Sequence, residues 1–185
     1  GYGTRLYPLT KHRPKALLPL GGGVILDWIM EGLAEIPGLS KTVLVSNHQF
    51  FPQFEAWTKT QPRAPELVDD GTSTPEARLG AIRDLLLALK RVGANDDVLV
   101  LGTDNLFTWS LAPVVAFAHT KRPAPTVALQ QVGSKAEARR CAVVTLDAHA
   151  RLVGCVEKPA QPASKTVALC VYYFPPATRI RMEEF

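Results

Sequence analysis

The sequence predicts an α/β protein whose open sheet is doubly wound at the start and mixed, turning antiparallel, toward the end. Two observations carry this prediction. Strand-like and helix-like segments alternate through roughly the first two-thirds of the 185 residues, which argues an open sheet with right-handed crossovers. After that, three strand-like runs follow one another with only turns or short polar loops between them. A chain of this length with 46% apolar residues has enough material for one domain with a core, so a single domain over residues 1–185 is expected.

The elements follow in order. Residues 24–36 place Ile25, Trp28, Ile29, Leu33 and Ile36 at helical spacing, and Pro37-Gly38 supplies the stop. Residues 42–46 read Thr-Val-Leu-Val-Ser, a β-branched run of strand length. A helix over 50–60, a short strand over 66–68 and a strongly periodic helix over 77–92, carrying Leu79, Ile82, Leu85, Leu86 and Leu89, come next. Residues 97–101 form a continuous apolar run, the composition of a parallel strand covered on both faces. A helix over 110–119 and a strand over 126–132 complete the alternating part, and 141–146, 152–157 and 167–174 are the closing strands. The proline-rich stretch 159–162 marks an exposed loop.

Charge and composition narrow the function. The net charge is +4, and the basic residues are scattered among acidic ones, without the dense basic stripe of a nucleic-acid binder. A modest positive balance suits anionic small-molecule substrates. No apolar run approaches the roughly 20 residues that span a bilayer and no signal peptide is visible, so a soluble, cytoplasmic protein without a membrane partner is expected. Cys141, Cys155 and Cys170 lack paired spacing and read as buried, reduced thiols. His12, His48, His119 and His149 show no metal spacing and read as exposed or capping residues, while Trp28, Trp57 and Trp109 read as packing in or beside the core. Both ends look cut: the chain opens at Gly1 of a glycine-rich turn and closes at Phe185 of an unfinished segment.

Four segments carry residues suited to phosphate chemistry. Gly1-Tyr2-Gly3-Thr4-Arg5-Leu6 combines glycines, which let backbone N–H groups approach phosphate oxygens, with an arginine that grips such oxygens bidentately. Alone it also describes an ordinary turn. Pro14-Lys15-Ala16-Leu17-Leu18-Pro19 holds Lys15 between a rigid proline and an apolar run, fixing its ammonium as a point charge. Leu101-Gly102-Thr103-Asp104-Asn105 ends a predicted strand, so Asp104 is either a carboxylate for Mg²⁺ at a carboxyl edge or part of a turn or helix cap. Glu157-Lys158-Pro159 is, by itself, more commonly a surface ion pair before a proline turn. Between these lie Asp69-Asp70-Gly71-Thr72 and Arg78-Leu79-Gly80-Ala81. Gly80 early in a helix costs about 1 kcal/mol relative to Ala, which points to close backbone approach by another group or to helix packing.

Taken together, residues 1–6, Pro8-Leu9-Thr10 and residues 14–19 closely resemble the signature of the nucleotide-sugar pyrophosphorylases, the sugar-1-phosphate nucleotidyltransferases. The resemblance implies a Rossmann-like, glycosyltransferase-A-like fold and transfer of a nucleoside monophosphate from a nucleoside triphosphate to a sugar 1-phosphate. By resemblance, Gly1, Gly3 and Thr4 wrap the triphosphate, Arg5 steadies the departing pyrophosphate, and Lys15 neutralises phosphate charge. Gly71 and Gly80 would lie against the base, Asp104 would hold Mg²⁺, and Glu157 and Lys158 would hold the sugar hydroxyls and the sugar phosphate. Ala142 and Cys170 stand where the family has glycines whose backbone touches the sugar. The resemblance also implies a homo-oligomer, and a family domain whose first strand and C-terminal part lie outside this chain.

The implied reaction is a direct in-line displacement at the α-phosphorus, which asks for positioning and charge neutralisation from Arg5, Lys15, Lys158 and an Asp104-bound Mg²⁺. Two other readings stay open: a non-catalytic nucleotide-sugar-binding regulatory protein of the same fold, suggested by Ala142 and Cys170, and a nucleotidyltransferase acting on an alcohol phosphate.

Overall fold

A computed structural model describes residues 1–182; the C-terminal residue Phe185 lies outside the described residues. Two compact units are present, one formed by residues 1–96, 103–113 and the chain from 179, the other by 97–102 and 114–178.

The first unit opens with irregular chain. A one-turn 3-10 helix, Thr4–Leu6, follows the glycine turn, and a second, Lys15–Leu17, starts directly after Pro14, whose fixed φ favours entry into a helical turn. A two-residue hairpin, β1 (Pro19–Leu20) and β2 (Gly23–Val24), feeds helix α1 (Ile25–Ala34). Asp27 in the first turn of α1 accepts the Val24 N–H at 2.7 Å, satisfying a donor that the helix start leaves without an intrahelical partner. Its other oxygen accepts the indole N–H of the buried Trp57 at 2.8 Å, which fastens α1 to helix α2 (Phe51–Thr58). Strands β3 (Val43–Ser46) and β4 (Glu66–Asp69) pair in parallel with Ser46 opposite Asp69, and α2 is their crossover. The carboxyl ends of both strands therefore lie side by side. Helix α3 (Ala81–Leu89) packs on β3, burying Leu89, while Ile82 stays 64% exposed.

The second unit is a five-stranded sheet made of β5 (Val98–Leu101), β6 (Thr126–Gln131), β7 (Ala142–Leu146), β8 (Leu152–Glu157) and β9 (Thr166–Phe174). The long strand β9 is central: β6 pairs with it on one side, while β5 takes residues 171–174 and β7 takes 167–168. Beyond β7 lies β8. Ala138, Val143 and Val167 form a buried cluster under the sheet. Helix α4 (Ala112–Thr120) buries Val115 and Ala118, and helix α6 (Pro176–Met182) closes the described chain. A single turn, α5 (Lys135–Ala138), is nucleated by a capping box in which the Glu137 N–H donates to Ser134 Oγ and the Ser134 N–H donates to Glu137.

Every predicted strand is present, to within a residue or two at its ends, but the pairing of two differs, since the strand at 126–131, placed in the alternating part, pairs antiparallel with β9. Residues 97–101, expected in a parallel environment, pair antiparallel with β9. A continuous apolar run reports coverage on both faces, not the direction of a neighbour. Helix α3 starts at Ala81, with Gly80 in front of it at φ 90° and ψ 160°, so the expectation that Gly80 lies inside the helix is corrected. The thiol expectation also changes: Cys141 is half-buried, Cys155 is exposed on the edge strand β8, whose two faces are both largely open, and Cys170 is exposed because alternation along β9 turns it away from the buried Val167, Val171 and Tyr173. Of the tryptophans, Trp57 is buried, whereas Trp28 and Trp109 are more than two-fifths exposed.

Candidate active site

In the first unit, the turn after β4 that carries Gly71 is joined to the glycine turn by the Tyr2–Thr72 hydrogen bond at the carboxyl ends of β3 and β4, the edge at which open α/β sheets bind ligands. The glycine turn is anchored from within and from outside. Gly3 adopts φ 62°, and its carbonyl accepts a hydrogen bond from the fully buried Thr10 hydroxyl at 2.7 Å. A Cβ on Gly3 would sit 3.1 Å from Thr10 Cβ, so both the backbone angle and the space favour glycine. Tyr2 is buried, its ring lies against Phe50, and its hydroxyl shares a 3.0 Å hydrogen bond with the Thr72 hydroxyl. With Tyr2 held inward, Gly1, Thr4 and Arg5 remain exposed.

The turn after β4 is equally ordered. Asp69 accepts the Gly71 N–H at 2.8 Å, and Asp70 accepts the Thr72 N–H at 2.7 Å. Across from them, the His48 backbone N–H donates to the Thr72 carbonyl at 2.8 Å, and His48 Nδ1 lies 2.6 Å from Asp69 Oδ2. The hydrogen bond that the ring donates to Asp69, joined by the charge of that carboxylate and of Asp70, raises the imidazole pKa above its ordinary value. Burial pushes the Asp69 carboxyl up, but the His48 and Gly71 hydrogen bonds outweigh it and leave its pKa below the ordinary value. Asp84, in the first turn of α3, is shifted the other way, first by burial and then by the charge of Asp70.

Lys15 meets Asp104. Its ammonium lies 3.6 Å from Asp104 Oδ2, and the two side chains are 36% and 59% exposed, so both charges stay open to a ligand. Lys15 is positioned by the 3-10 turn after Pro14, whose next two residues, Ala16 and Leu17, are buried. Asp104 comes three residues after β5 ends.

The second unit carries its own grouping. Ala142 stands directly opposite Glu157 on one side and Ala168 on the other. Lys158 follows at φ 46°, its backbone N–H donating to the Cys141 carbonyl at 3.0 Å and its ammonium 2.9 Å from Glu157 Oε1. The structure thus brings predicted residues together in three places: the glycine turn beside the Gly71 turn and the Lys15–Asp104 pair, both in the first unit, and Ala142, Glu157 and Lys158 in the second. Sequence reasoning missed Tyr2, Thr10 and the pairing of His48 with Asp69. A signal existed for the last, since His48 and Asp69 sit at the ends of two predicted strands.

The family model described as Nucleotidyl transferase matches residues 1–183. The chain belongs to that family. Among curated nucleotidyl transferases, the glucose-1-phosphate thymidylyltransferase of Streptomyces antibioticus is 30% identical over 186 residues, covering 96% of this chain and 48% of its own length. Glucose-1-phosphate adenylyltransferase 2 of Vibrio vulnificus is 30% identical over 177 residues, covering 88% of this chain and 42% of its own. This chain therefore spans about half the length of the curated relatives it matches. Among solved structures, a Bacillus anthracis protein assigned as a glucose-1-phosphate thymidylyltransferase superposes with a TM-score of 0.82 at 22% identity, covering 95% of this chain and 68% of that one. The fold is accordingly the mixed, Rossmann-like α/β fold shared by these nucleotide-sugar enzymes. No helix among the described residues is long and apolar enough to cross a membrane.

Proposed function

We propose that this nucleotidyl transferase moves a nucleoside monophosphate from a nucleoside triphosphate to a sugar 1-phosphate, giving a nucleoside-diphosphate sugar and pyrophosphate. The observation that carries the proposal is the exposed Lys15 and Asp104 pair at 3.6 Å in the same unit as a glycine turn fixed by Thr10 and Tyr2. Together they offer a cation, a carboxylate and open backbone N–H groups, the set that a triphosphate requires. The relatives' names agree on the reaction while differing in the nucleotide transferred.

In this reading a sugar-phosphate oxygen attacks the α-phosphorus, one P–O bond forms, and the bond to the β-phosphate breaks with its electron pair leaving on pyrophosphate. Gly1, Gly3 and Thr4 cradle the triphosphate, Arg5 holds the departing pyrophosphate, and Lys15 neutralises charge as it shifts during transfer. Gly71 and Gly80 face the base, Ala142 and Glu157 hold the sugar, and Lys158 holds its phosphate. The donor set fits Mg²⁺: a single exposed carboxylate, Asp104, suits a small hard cation that completes its shell with water and phosphate oxygens, and no group of three or more acidic, His or Cys ligands exists among the described residues to form an all-protein cage. Asp104 would hold the ion, which would supply charge neutralisation on the phosphate oxygens when bound. We treat the two units as parts of one nucleotidyltransferase domain, cytoplasmic and homo-oligomeric.

The test is a grid of dTTP, UTP, ATP and GTP against glucose 1-phosphate and mannose 1-phosphate, scored by pyrophosphate release from the full-length protein. At least one pair turns over, and Lys15→Ala or Asp104→Ala lowers kcat by about 10²–10³ with the unfolding midpoint retained. Binding of nucleotide without pyrophosphate release across the grid replaces the enzyme by a regulatory protein of the same fold, and unchanged turnover in both variants removes Lys15 and Asp104 from the mechanism.

A further inference from the structure

The hydrogen bonds at the carboxyl ends of β3 and β4 form a continuous path with an exposed imidazole at one end and the glycine turn at the other. His48 engages the 69–72 turn twice, through its backbone N–H to the Thr72 carbonyl at 2.8 Å and through Nδ1 to Asp69 Oδ2 at 2.6 Å. Asp69 passes the constraint to the Gly71 N–H. Thr72, buried and held at both backbone groups, presents its hydroxyl to Tyr2. Tyr2 sits between Gly1 and Gly3, the two glycines expected to approach phosphate. Of these links, the one to Asp69 depends on ionisation, because only the imidazolium makes a charge-assisted bond to the carboxylate.

We infer that His48 is a positioning residue for the nucleotide: its imidazolium, held by Asp69, orders the 69–72 turn against Tyr2 and thereby couples triphosphate binding to pH. This rests on the proposed nucleotide site and adds to it a residue that touches neither phosphate nor metal. The charges around His48 are Asp69 and Asp70 at the end of β4, both favouring the protonated ring. The α2 helix that follows carries Glu55 a turn beyond its start, the segment running from the glycine turn to Lys15 carries Arg5, Lys11, His12 and Arg13, and α3, packed on β3, carries Arg83 and Asp84 in its first turn. Since the His48 side chain is 64% exposed and that of Asp69 30% exposed, the coupling is modest and weakens with salt.

The sign is fixed by the direction of the shift. A histidine with a raised pKa makes its full contribution below about pH 6.5 and loses it as pH rises through the raised value. Binding is therefore tighter on the acid side of that transition and weaker on the alkaline side. By reciprocity, bound triphosphate must raise the His48 pKa further.

The experiment uses the full-length protein with dTTP, UTP, ATP and GTP as probes, by equilibrium dialysis and by histidine-ring NMR. Between about pH 6 and about pH 8.5, the Kd of the best-bound probe rises by about two- to fivefold more in the wild type than in His48→Gln, the range an exposed ion pair supports. Asp69→Asn, which keeps an acceptor for the Gly71 N–H, flattens the profile in the same way, and the double variant is no flatter than either single one. The His48 ring titrates at higher pH with the nucleotide than without it. Where turnover is seen, the effect falls on KM more than on kcat. A Kd profile identical in wild type and both variants, or a His48 titration that nucleotide leaves in place, overturns the inference while the proposed function stands. Binding with the predicted pH dependence but no pyrophosphate release fails the enzyme and keeps the inference, and a protein that binds none of the four probes fails both.

Discussion

Tyr2→Phe removes one oxygen from the middle of the glycine turn, and its effect can be worked from burial. Tyr2 and Thr72 are 6% and 7% exposed, and their hydroxyls are 3.0 Å apart. Without the phenol, the Thr72 hydroxyl loses that partner in a place water barely reaches, which costs about 1–3 kcal/mol. Thr72→Val makes the reciprocal loss and leaves the Tyr2 hydroxyl stranded. Combining the two replaces both partners with apolar groups, so the double variant recovers part of the loss and the cycle shows a coupling of about 1 kcal/mol. The Thr72 backbone keeps its bonds to Asp70 and His48 in all three variants, which confines the change to the hydroxyl pair. Urea unfolding followed by fluorescence gives the four stabilities, and triphosphate KM should rise in each single variant because the turn that carries Gly1 and Gly3 loses its inward anchor. Additivity of the two single losses within about 0.3 kcal/mol would refute the coupling, and an unchanged KM in both would detach the turn from nucleotide binding.

Gly80→Ala should destabilise by about 1–3 kcal/mol in urea although no atom lies within 4 Å of the added Cβ, because φ 90° with ψ 160° belongs to a backbone region open essentially to glycine alone. Gly32→Ala, equally open but inside α1, should stabilise by about 0.5–1 kcal/mol, and a similar outcome for both would show that the Gly80 backbone relaxes freely. Lys158→Gly should be about 1 kcal/mol more stable than Lys158→Ala, since only glycine occupies φ 46° without strain, while both lose pyrophosphate release relative to wild type. Equal stability of the two would mean that the left-handed angle is not maintained in solution.

Periodicity made the elements legible and left their partners obscure. The β-branched run before Ser46 and the alternation through Tyr172 specify strands because side-chain spacing is local information. Whether residues 98–101 have a parallel or antiparallel neighbour depends on β9, some 70 positions later, and no local pattern encodes it. The single-turn α5 was missed because four residues carry too little periodicity, although Ser134 and Glu137 at capping-box spacing advertise its start. Gly80 was assigned to the helix for a related reason: its leucine-rich neighbours continue the pattern through a residue whose φ has already broken it. At the site, the motif residues were visible as chemistry, but their supports were not. Tyr2 is hidden between two glycines, and Thr10 appears only as the last letter of a Pro-Leu-Thr run. Their roles come from burial, which brings the Thr72 hydroxyl to Tyr2 across 70 residues.

Lys158 carries two readings in the sequence, a surface ion pair when the triplet stands alone and a substrate-holding residue when it is set beside the opening motif. A chance surface ion pair between neighbouring residues needs no special backbone, and at exposures of 51% and 66% the Lys158 and Glu157 pair contributes little to stability. Yet Lys158 occupies a left-handed angle that costs a residue with a Cβ about 1–2 kcal/mol, directly before Pro159, which itself disfavours helical angles in the preceding residue. An exposed pair does not offset that cost, so the fold around it must. It does so through the β7–β8 ladder, which sets Ala142 opposite Glu157, and through the Lys158 N–H to the Cys141 carbonyl, which continues the pairing one residue past the strand. The strain is thus imposed by ordered backbone on both sides and holds an ammonium and a carboxylate at a strand end beside a small residue. The substrate-holding role proposed above gives such a strained, exposed lysine a use, and pyrophosphate release by the Lys158→Gly and Lys158→Ala variants tests it.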